Sequence, residues 1–173
     1  MITLSEILKN QCTIDELDEA TKKNIYELLD KINKVRERYG YPMIVTSGYR
    51  TLKHHLEIYK KKGVTDKSKI PLKSNHLTGC AVDISDPNRK LQKWCLDNVG
   101  ILASIGLWME DFKYTTTWVH FQVVPPKSGK RFFIPQQSIS PHEQQMKNHV
   151  IVCGLGLNGR NLVKVLKETS INY

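Results

Sequence analysis

Along the first forty residues the apolar positions recur at helical spacing. Ile25, Leu28, Leu29, Ile32, Val35 and Tyr39 fall on one face of a 3.6-residue period, and Gly40 supplies a stop. Thr13-Ile14-Asp15-Glu16 has the form of a capping box, so the spacing predicts an amphipathic helix of about 20 residues opening there. Beyond Gly40 the pattern shortens. Pro42-Met43-Ile44-Val45-Thr46 reads as a buried strand that runs into Ser47-Gly48-Tyr49-Arg50. Residues 51–62 return to a helical pattern and stop at Gly63, and residues 64–75 are polar and loop-like. Cys80-Ala81-Val82-Asp83-Ile84 has strand character after Gly79. Asp86-Pro87 predicts a helix start, with Asp86 capping and Pro87 at the first helical position. Leu91, Trp94, Cys95, Val99, Leu102 and Ile105 form the stripe of that helix, and Gly106 ends it. Strands are expected over residues 107–112 and 117–124, then a turn over 125–130 and a last strand over 131–134. Helices lead and antiparallel-looking strands follow. That order predicts an α+β fold, a small antiparallel sheet with flanking helices.

Candidate chemistry sits on the strands of this pattern. In Ser74-Asn75-His76-Leu77-Thr78-Gly79-Cys80-Ala81-Val82-Asp83, His76 lies at the mouth of a strand and Asp83 inside it. A period of two sets Ala81 and Asp83 on one face and Cys80, Val82 and Ile84 on the other. Trp118-Val119-His120-Phe121-Gln122 alternates in the same way, with Trp118, His120 and Gln122 on one face. If the two strands pair, Asp83 and His120 share a face and the loop brings His76 over them. Two imidazoles and a carboxylate with a fourth position open are the donor set of a catalytic zinc. Such a site polarises a carbonyl and lowers the pKa of bound water. Taken singly, the same residues have plainer readings: a hydrogen-bonded strand histidine, a turn aspartate, a surface salt bridge for Arg50. His54 and His55 are adjacent on a helix, cannot both face one metal and read as surface residues. His142 has no partner at ligand spacing. Cys80 and Cys95 read as core, as do Trp94 and Trp108, while Trp118 is placed to line a cleft.

Three motifs, Ser47-Gly48-Tyr49-Arg50, then Ser74-x-His76-x6-Asp83, then Trp118-Val119-His120, together resemble the M15 family of zinc peptidases. That family includes D-Ala-D-Ala carboxypeptidases, dipeptidases and phage L-alanyl-D-glutamate endolysins. The resemblance covers roughly residues 20–135. It implies an M15 or hedgehog-like fold, zinc as cofactor, and His76, Asp83 and His120 as its ligands. Arg50 would bind or polarise the substrate near the scissile bond, a role that suits its planar fork of donors. One position departs from the family. Many members carry a catalytic Glu three residues before the last zinc histidine, where this chain has Thr117. Glu110, which shares a face with Trp108, is the preferred general base; Asp111, facing the other way, is the alternative. A chain with no base at all is the third possibility, as in zinc-bearing but non-catalytic relatives. The implied function is zinc-dependent hydrolysis of peptidoglycan stem peptides by metal-activated water, of carboxypeptidase or endolysin type. Its rival is a non-catalytic, zinc-stabilised wall-binding module.

Composition narrows the partners. With 40% apolar and 25% charged residues in 173, the chain is globular. Its longest apolar run, residues 150–157, is far short of the roughly 20 residues of a membrane span. Four cysteines, Cys12, Cys80, Cys95 and Cys153, lack any C-x-x-C and read as reduced thiols. Lys plus Arg number 26 against 17 Asp plus Glu, a net charge of +9 that favours polyanions. Joined to the resemblance, the charge points to anionic wall polymer as partner and not to nucleic acid. No basic start followed by an apolar run opens the chain, so no secretory signal is read. A monomer is expected, held in the cytoplasm until release to the wall, or virion-associated if phage-encoded.

The C-terminal stretch reads differently. Residues 136–148, rich in Gln, Ser, Pro and His, are expected to be a linker after a peptidase domain of residues 1–135. From His149 the chain reads strand, then Gly154-Leu155-Gly156-Leu157-Asn158-Gly159, then helix. This is similar to the opening of Rossmann nucleotide-binding domains, particularly those regulating potassium transport. Residues 149–173 hold neither the second strand nor the ribose-binding acid, so the unit is incomplete and no cofactor role is assigned to it. With Met146 just before it, the segment looks like the start of another reading frame. A nucleotide-sensing fragment is the third hypothesis.

Overall fold

Thr3 and Glu6 close a capping box around a short helix, α1 (Leu4–Leu8), which the hydrophobic spacing does not announce because it is barely one turn long. A computed structural model describes residues 1–64 and 66–135 of the chain. The expected linker, His142, Cys153 and the glycine-rich segment lie outside the described residues. Met1–Gln136 forms a unit of its own.

The box at Thr13 and Glu16 is present, but it closes a 3-10 turn, Ile14–Glu16. The long helix α2 (Glu19–Tyr39) starts instead at Asp18, whose carboxylate accepts the Thr21 N–H at 2.9 Å. Its inner face buries Ile25, Leu28, Ile32 and Val35 completely. Each contributes about 1.5–3 kcal/mol relative to an exposed side chain. After α2 come β1 (Val45–Ser47), α3 (Leu52–Lys61) and β2 (Ala81–Ser85). Then follow α4 (Lys90–Asp97), α5 (Val99–Ile105), β3 (Trp108–Glu110), β4 (Trp118–Gln122) and β5 (Phe132–Phe133).

The single helix expected after Asp86 is therefore two, broken at Asn98. Asp86 still caps it, from one turn further out: its two carboxylate oxygens accept the Leu91 and Gln92 N–H groups at 3.1 and 2.8 Å. Pro87 lies outside the helix, and Arg89 takes the left-handed conformation before it.

The strands form one sheet in the order β1-β2-β4-β3-β5. β2 and β4 pair antiparallel at its centre, with Val82 opposite Phe121 and Ile84 opposite Val119. These four side chains, with Met109 and Val45, meet α2 in one hydrophobic core. The sheet is antiparallel except at its far edge, where the short β5 runs parallel to β3. This is the mixed α+β architecture expected, and no helix among the described residues is long and apolar enough to cross a membrane. Cys80 and Cys95 are core residues as read, and Trp94 packs against the core. Trp108 differs from its reading: it is half-buried, with the Arg131 guanidinium 4.5 Å above its ring.

Candidate metal centre

Pairing of β2 with β4 places Asp83 directly opposite His120. Their face is the one turned away from Val82 and Phe121, as alternation requires. β1 adds Ser47 to the same row, opposite Asp83, through a bulge: Val45 pairs with Ile84 but Ser47 with Asp83. The extra residue, Thr46, lets Val45 enter the core and still turns Ser47 toward the polar face. On the other side the β3–β4 register runs Trp108 opposite Gln122 and Met109 opposite Phe121. One further residue sets Glu110 opposite His120.

His76 comes from the loop before β2. That loop is held by the Arg50 N–H, which donates to the His76 carbonyl, and by the Cys80 N–H, which donates to the Asn75 carbonyl, at 2.9 and 2.8 Å. Gly48 completes the cradle. Its carbonyl accepts from His76 Nδ1 at 2.8 Å, and a Cβ on it would strike the Ile7 carbonyl of α1. Only glycine lets the strand end pass that close to the helix.

The three candidate ligands are thus brought together. Asp83 Oδ1 lies 2.8 Å from His120 Nδ1, and Oδ2 lies 3.4 Å from His76 Nε2. One ligand atom from each falls within 4.8 Å of the others. Zinc bonds of about 2.0–2.1 Å in a tetrahedron set ligand atoms roughly 3.3 Å apart, so the donor set fits the ion that the motif pattern implied. Arg50 stands behind the carboxylate. Its Nη2 donates to Asp83 Oδ2 at 3.1 Å and its Nε to Ser47 Oγ at 2.8 Å.

All three ligand candidates are almost fully withdrawn from water, and their protonation follows from that. Burial pushes the Asp83 carboxyl up, but the two imidazoles and their hydrogen bonds outweigh it and hold it well below the usual range. Burial likewise lowers His76, whose net shift is down. For His120 burial acts in the same sense, yet the hydrogen bond and charge of Asp83, with a smaller contribution from Glu110, lift it above an ordinary histidine. Without metal, the triad holds a proton between His120 and Asp83. A cation entering the site displaces that proton, so its affinity rises with pH.

The family model for Peptidase M15 matches residues 2–120. The chain belongs to that family. The match begins earlier than the three motifs, taking in α1, and ends on His120. No curated protein and no solved structure gave a significant match. M15 peptidases are metal-dependent, and His76, Asp83 and His120 are a site able to hold the metal.

The remaining candidates fall at different distances from the triad. Glu110 lies in the row of Asp83 and His120. The Asp111 carboxylate is occupied elsewhere, accepting the Lys113 N–H at 3.0 Å in the turn that follows β3. Thr117 is exposed just before β4. His54 is partly exposed, but His55, read as a surface residue, is wholly buried. α3 turns that side inward: His55 Nε2 meets the Pro71 carbonyl at 3.2 Å and its ring packs 5.0 Å from Tyr59. Burial, followed by the Arg50 charge, lowers the pKa of His55.

Some residues of the site escaped the motif reading. Tyr59 is within electrostatic reach of both Arg50 and Glu110. Phe133 has its ring 6.4 Å from that of His120. Asn75 and Gln122 join each other beside His120. Only Gln122 left a signal, its place on the His120 face of an alternating strand.

Proposed function

We propose that residues 1–135 are a zinc peptidase domain acting on the peptide stems of peptidoglycan, as a carboxypeptidase of D-Ala-D-Ala type or an endopeptidase of L-Ala-D-Glu type. The observation that carries this reading is the buried His76–Asp83–His120 triad in a chain of the M15 family. Bound there, zinc would polarise the scissile carbonyl and bring the pKa of water toward about 7.

The chain's own residues then divide the work. Glu110, in the row of His120 on the adjacent strand, takes the proton of the attacking water and passes it to the leaving amine as the C–N bond breaks. The water oxygen forms the new bond to the carbonyl carbon. Arg50 uses Nη2 and Nε to fix Asp83 and Ser47. Its Nη1, without a hydrogen bond among the described residues, is the donor left for the substrate's carbonyl or carboxylate oxygen. Tyr59 and Phe133 flank this row and exclude water from it.

Charge placement supports an anionic wall as the surroundings. Residues 52–73 carry seven lysines against Glu57 and Asp66, and residues 123–135 carry Lys127, Lys130 and Arg131 with no acid. Both segments border the triad, through His55 and Tyr59 in one case and Phe133 in the other. Residues 1–51 are balanced, eight basic against eight acidic. The attraction is therefore aimed at the mouth of the site.

A second reading, a zinc-stabilised wall-binding module without turnover, is favoured by Thr117 at the family's base position. Purified peptidoglycan decides between them. Mass analysis of muropeptides after incubation with the zinc-loaded chain should show one stem bond cut. His76→Ala and His120→Ala should lose both zinc and cutting. An intact sacculus that binds the zinc-loaded protein but releases no fragment would establish the binding module instead.

A further inference from the structure

Which imidazole nitrogen faces a metal is decided by what holds the other one. For His76 the holder is the Gly48 carbonyl, 2.8 Å from Nδ1. A carbonyl only accepts, so Nδ1 carries the hydrogen and Nε2 keeps its lone pair toward Asp83. For His120 the roles of the two nitrogens are exchanged. Nδ1 faces Asp83, and Nε2 lies 3.3 Å from the side-chain amide of Gln122.

An amide can present either oxygen or NH2, and its neighbours settle which. Gln122 Nε2 donates to the Val124 carbonyl at 2.6 Å, and Oε1 accepts from Asn75 Nδ2 at 2.9 Å. Turning the amide over would set oxygen against the Val124 oxygen and NH2 against the Asn75 NH2. Gln122 and His120 are only 4% and 6% exposed, so water does not replace a lost partner there. The oxygen therefore points at His120 Nε2, which donates to it; once a metal takes the proton's place between Nδ1 and Asp83, Nε2 is the nitrogen left bearing hydrogen.

We propose that Gln122, fixed by Asn75 and Val124, is a positioning residue that holds the His120 hydrogen on Nε2 and so frees Nδ1 for the metal. The proposal rests on the ligand assignment made under the proposed function. Gln122 touches neither metal nor substrate in this arrangement; it acts through His120. Because Asn75 precedes His76 in the chain, the same network ties the loop bearing one imidazole to the strand bearing the other.

The test uses the full chain, first loaded with zinc. Long-range proton–nitrogen spectra of the 15N-labelled protein, taken at a pH above the titration of both imidazoles, report which ring nitrogen carries hydrogen. The expected result is Nε2–H for His120 and Nδ1–H for His76. Zinc affinity is then measured by chelator competition for the parent, Gln122→Met and Gln122→Glu. The methionine, similar in size but without an oxygen, should weaken zinc binding by roughly 10–100-fold and let His120 populate both tautomers. The glutamate keeps an acceptor toward His120 but sets its second oxygen against the Val124 carbonyl, so it should lose clearly less affinity than the methionine without reaching the parent's. Nδ1–H on His120 of the parent overturns the proposal, and so does parental affinity in the methionine variant. Equal loss in both variants makes Gln122 a packing residue and overturns it too. The parent spectrum needs no substitution, so a variant that fails to fold does not spoil the test. A parent that binds no zinc sinks the ligand assignment, whereas a parent that binds zinc with the His120 hydrogen on Nδ1 leaves that assignment standing and sinks the part given to Gln122.

Discussion

Val82, Ile84, Val119 and Phe121 leave β2 and β4 on one side of the sheet; Asp83, His120 and Gln122 leave the same strands on the other. Both sets are buried or nearly so, yet they are stabilised in different ways. The apolar set is held by area withdrawn from water, a force with no preferred direction, and it accepts other side chains of like volume. The polar set costs free energy unless every donor and acceptor finds its partner. Each member consequently has a named one: Arg50 for Asp83, Gln122 for His120, and Asn75 for Gln122. The core face can absorb imprecision, whereas the polar face is defined by it. Changes on one should move stability and changes on the other should move chemistry, and the following measurements test that separation.

The largest effect expected is on turnover. Glu110→Gln keeps shape but removes the base, and should lower peptide hydrolysis by about 10²–10⁴-fold with zinc content and thermal midpoint unchanged. Asp111→Asn, whose side chain belongs to a turn, should leave hydrolysis near the parent level. The reverse pattern would move the base by one residue and to the other face of β3.

On the core face, Phe121→Ala empties the largest wholly buried side chain among the described residues, next in the strand to His120 and opposite Val82. A loss of about 3–5 kcal/mol in unfolding free energy is expected, read from denaturant titration. At low temperature, where the variant remains folded, it should still bind zinc. Loss of zinc from a variant that is demonstrably folded would show that the two faces are not separable.

Arg50→Lys comes next. Lysine keeps the charge but cannot hold Asp83, Ser47 and a substrate oxygen with one planar group, so kcat/KM should fall by about tenfold or more. Circular dichroism and zinc content should match the parent. Near-parental kinetics would leave Arg50 only its ion pair with Asp83.

The smallest effect is expected from shortening the chain. A protein ending at Pro135 contains both faces entire, and should fold, bind zinc and cut with parental efficiency. Its thermal midpoint beside that of the full chain is the quantity to compare. A fall of many degrees would show residues 136–173 to be part of the same folding unit, and stabilisation of the full chain alone by NAD or ATP would give them a ligand.

How far the sequence reached differs between these faces and the segments around them. Period-two alternation in residues 80–84 and 118–122 was enough to sort Asp83 and His120 from Val82 and Phe121, because side-chain direction in a strand is a local property. The 3.6-residue stripe of α2 was legible for the same reason, as was the stop at Gly40. Short or irregular elements were not. α1 is too brief to show a period, the capping box at Thr13 is indistinguishable in sequence from one that opens a long helix, and the break at Asn98 interrupts a stripe that looks continuous.

Other features depend on which segments meet. The bulge at Thr46 exists only because β1 pairs with β2, and without it Ser47 and Val45 would share a face. His55 is buried only because α3 lies beside the loop that carries Pro71. The contacts of Arg50 with Asp83 and of Asn75 with Gln122 span 33 and 47 residues of chain. The residues themselves and their spacing determined which side chains were available for a metal and on which face of a strand each would stand. Tertiary structure decided which nitrogen of each imidazole faces Asp83 and which acid stands in the row of His120. Those depend on hydrogen-bond partners brought in from other strands, and no local period encodes a partner.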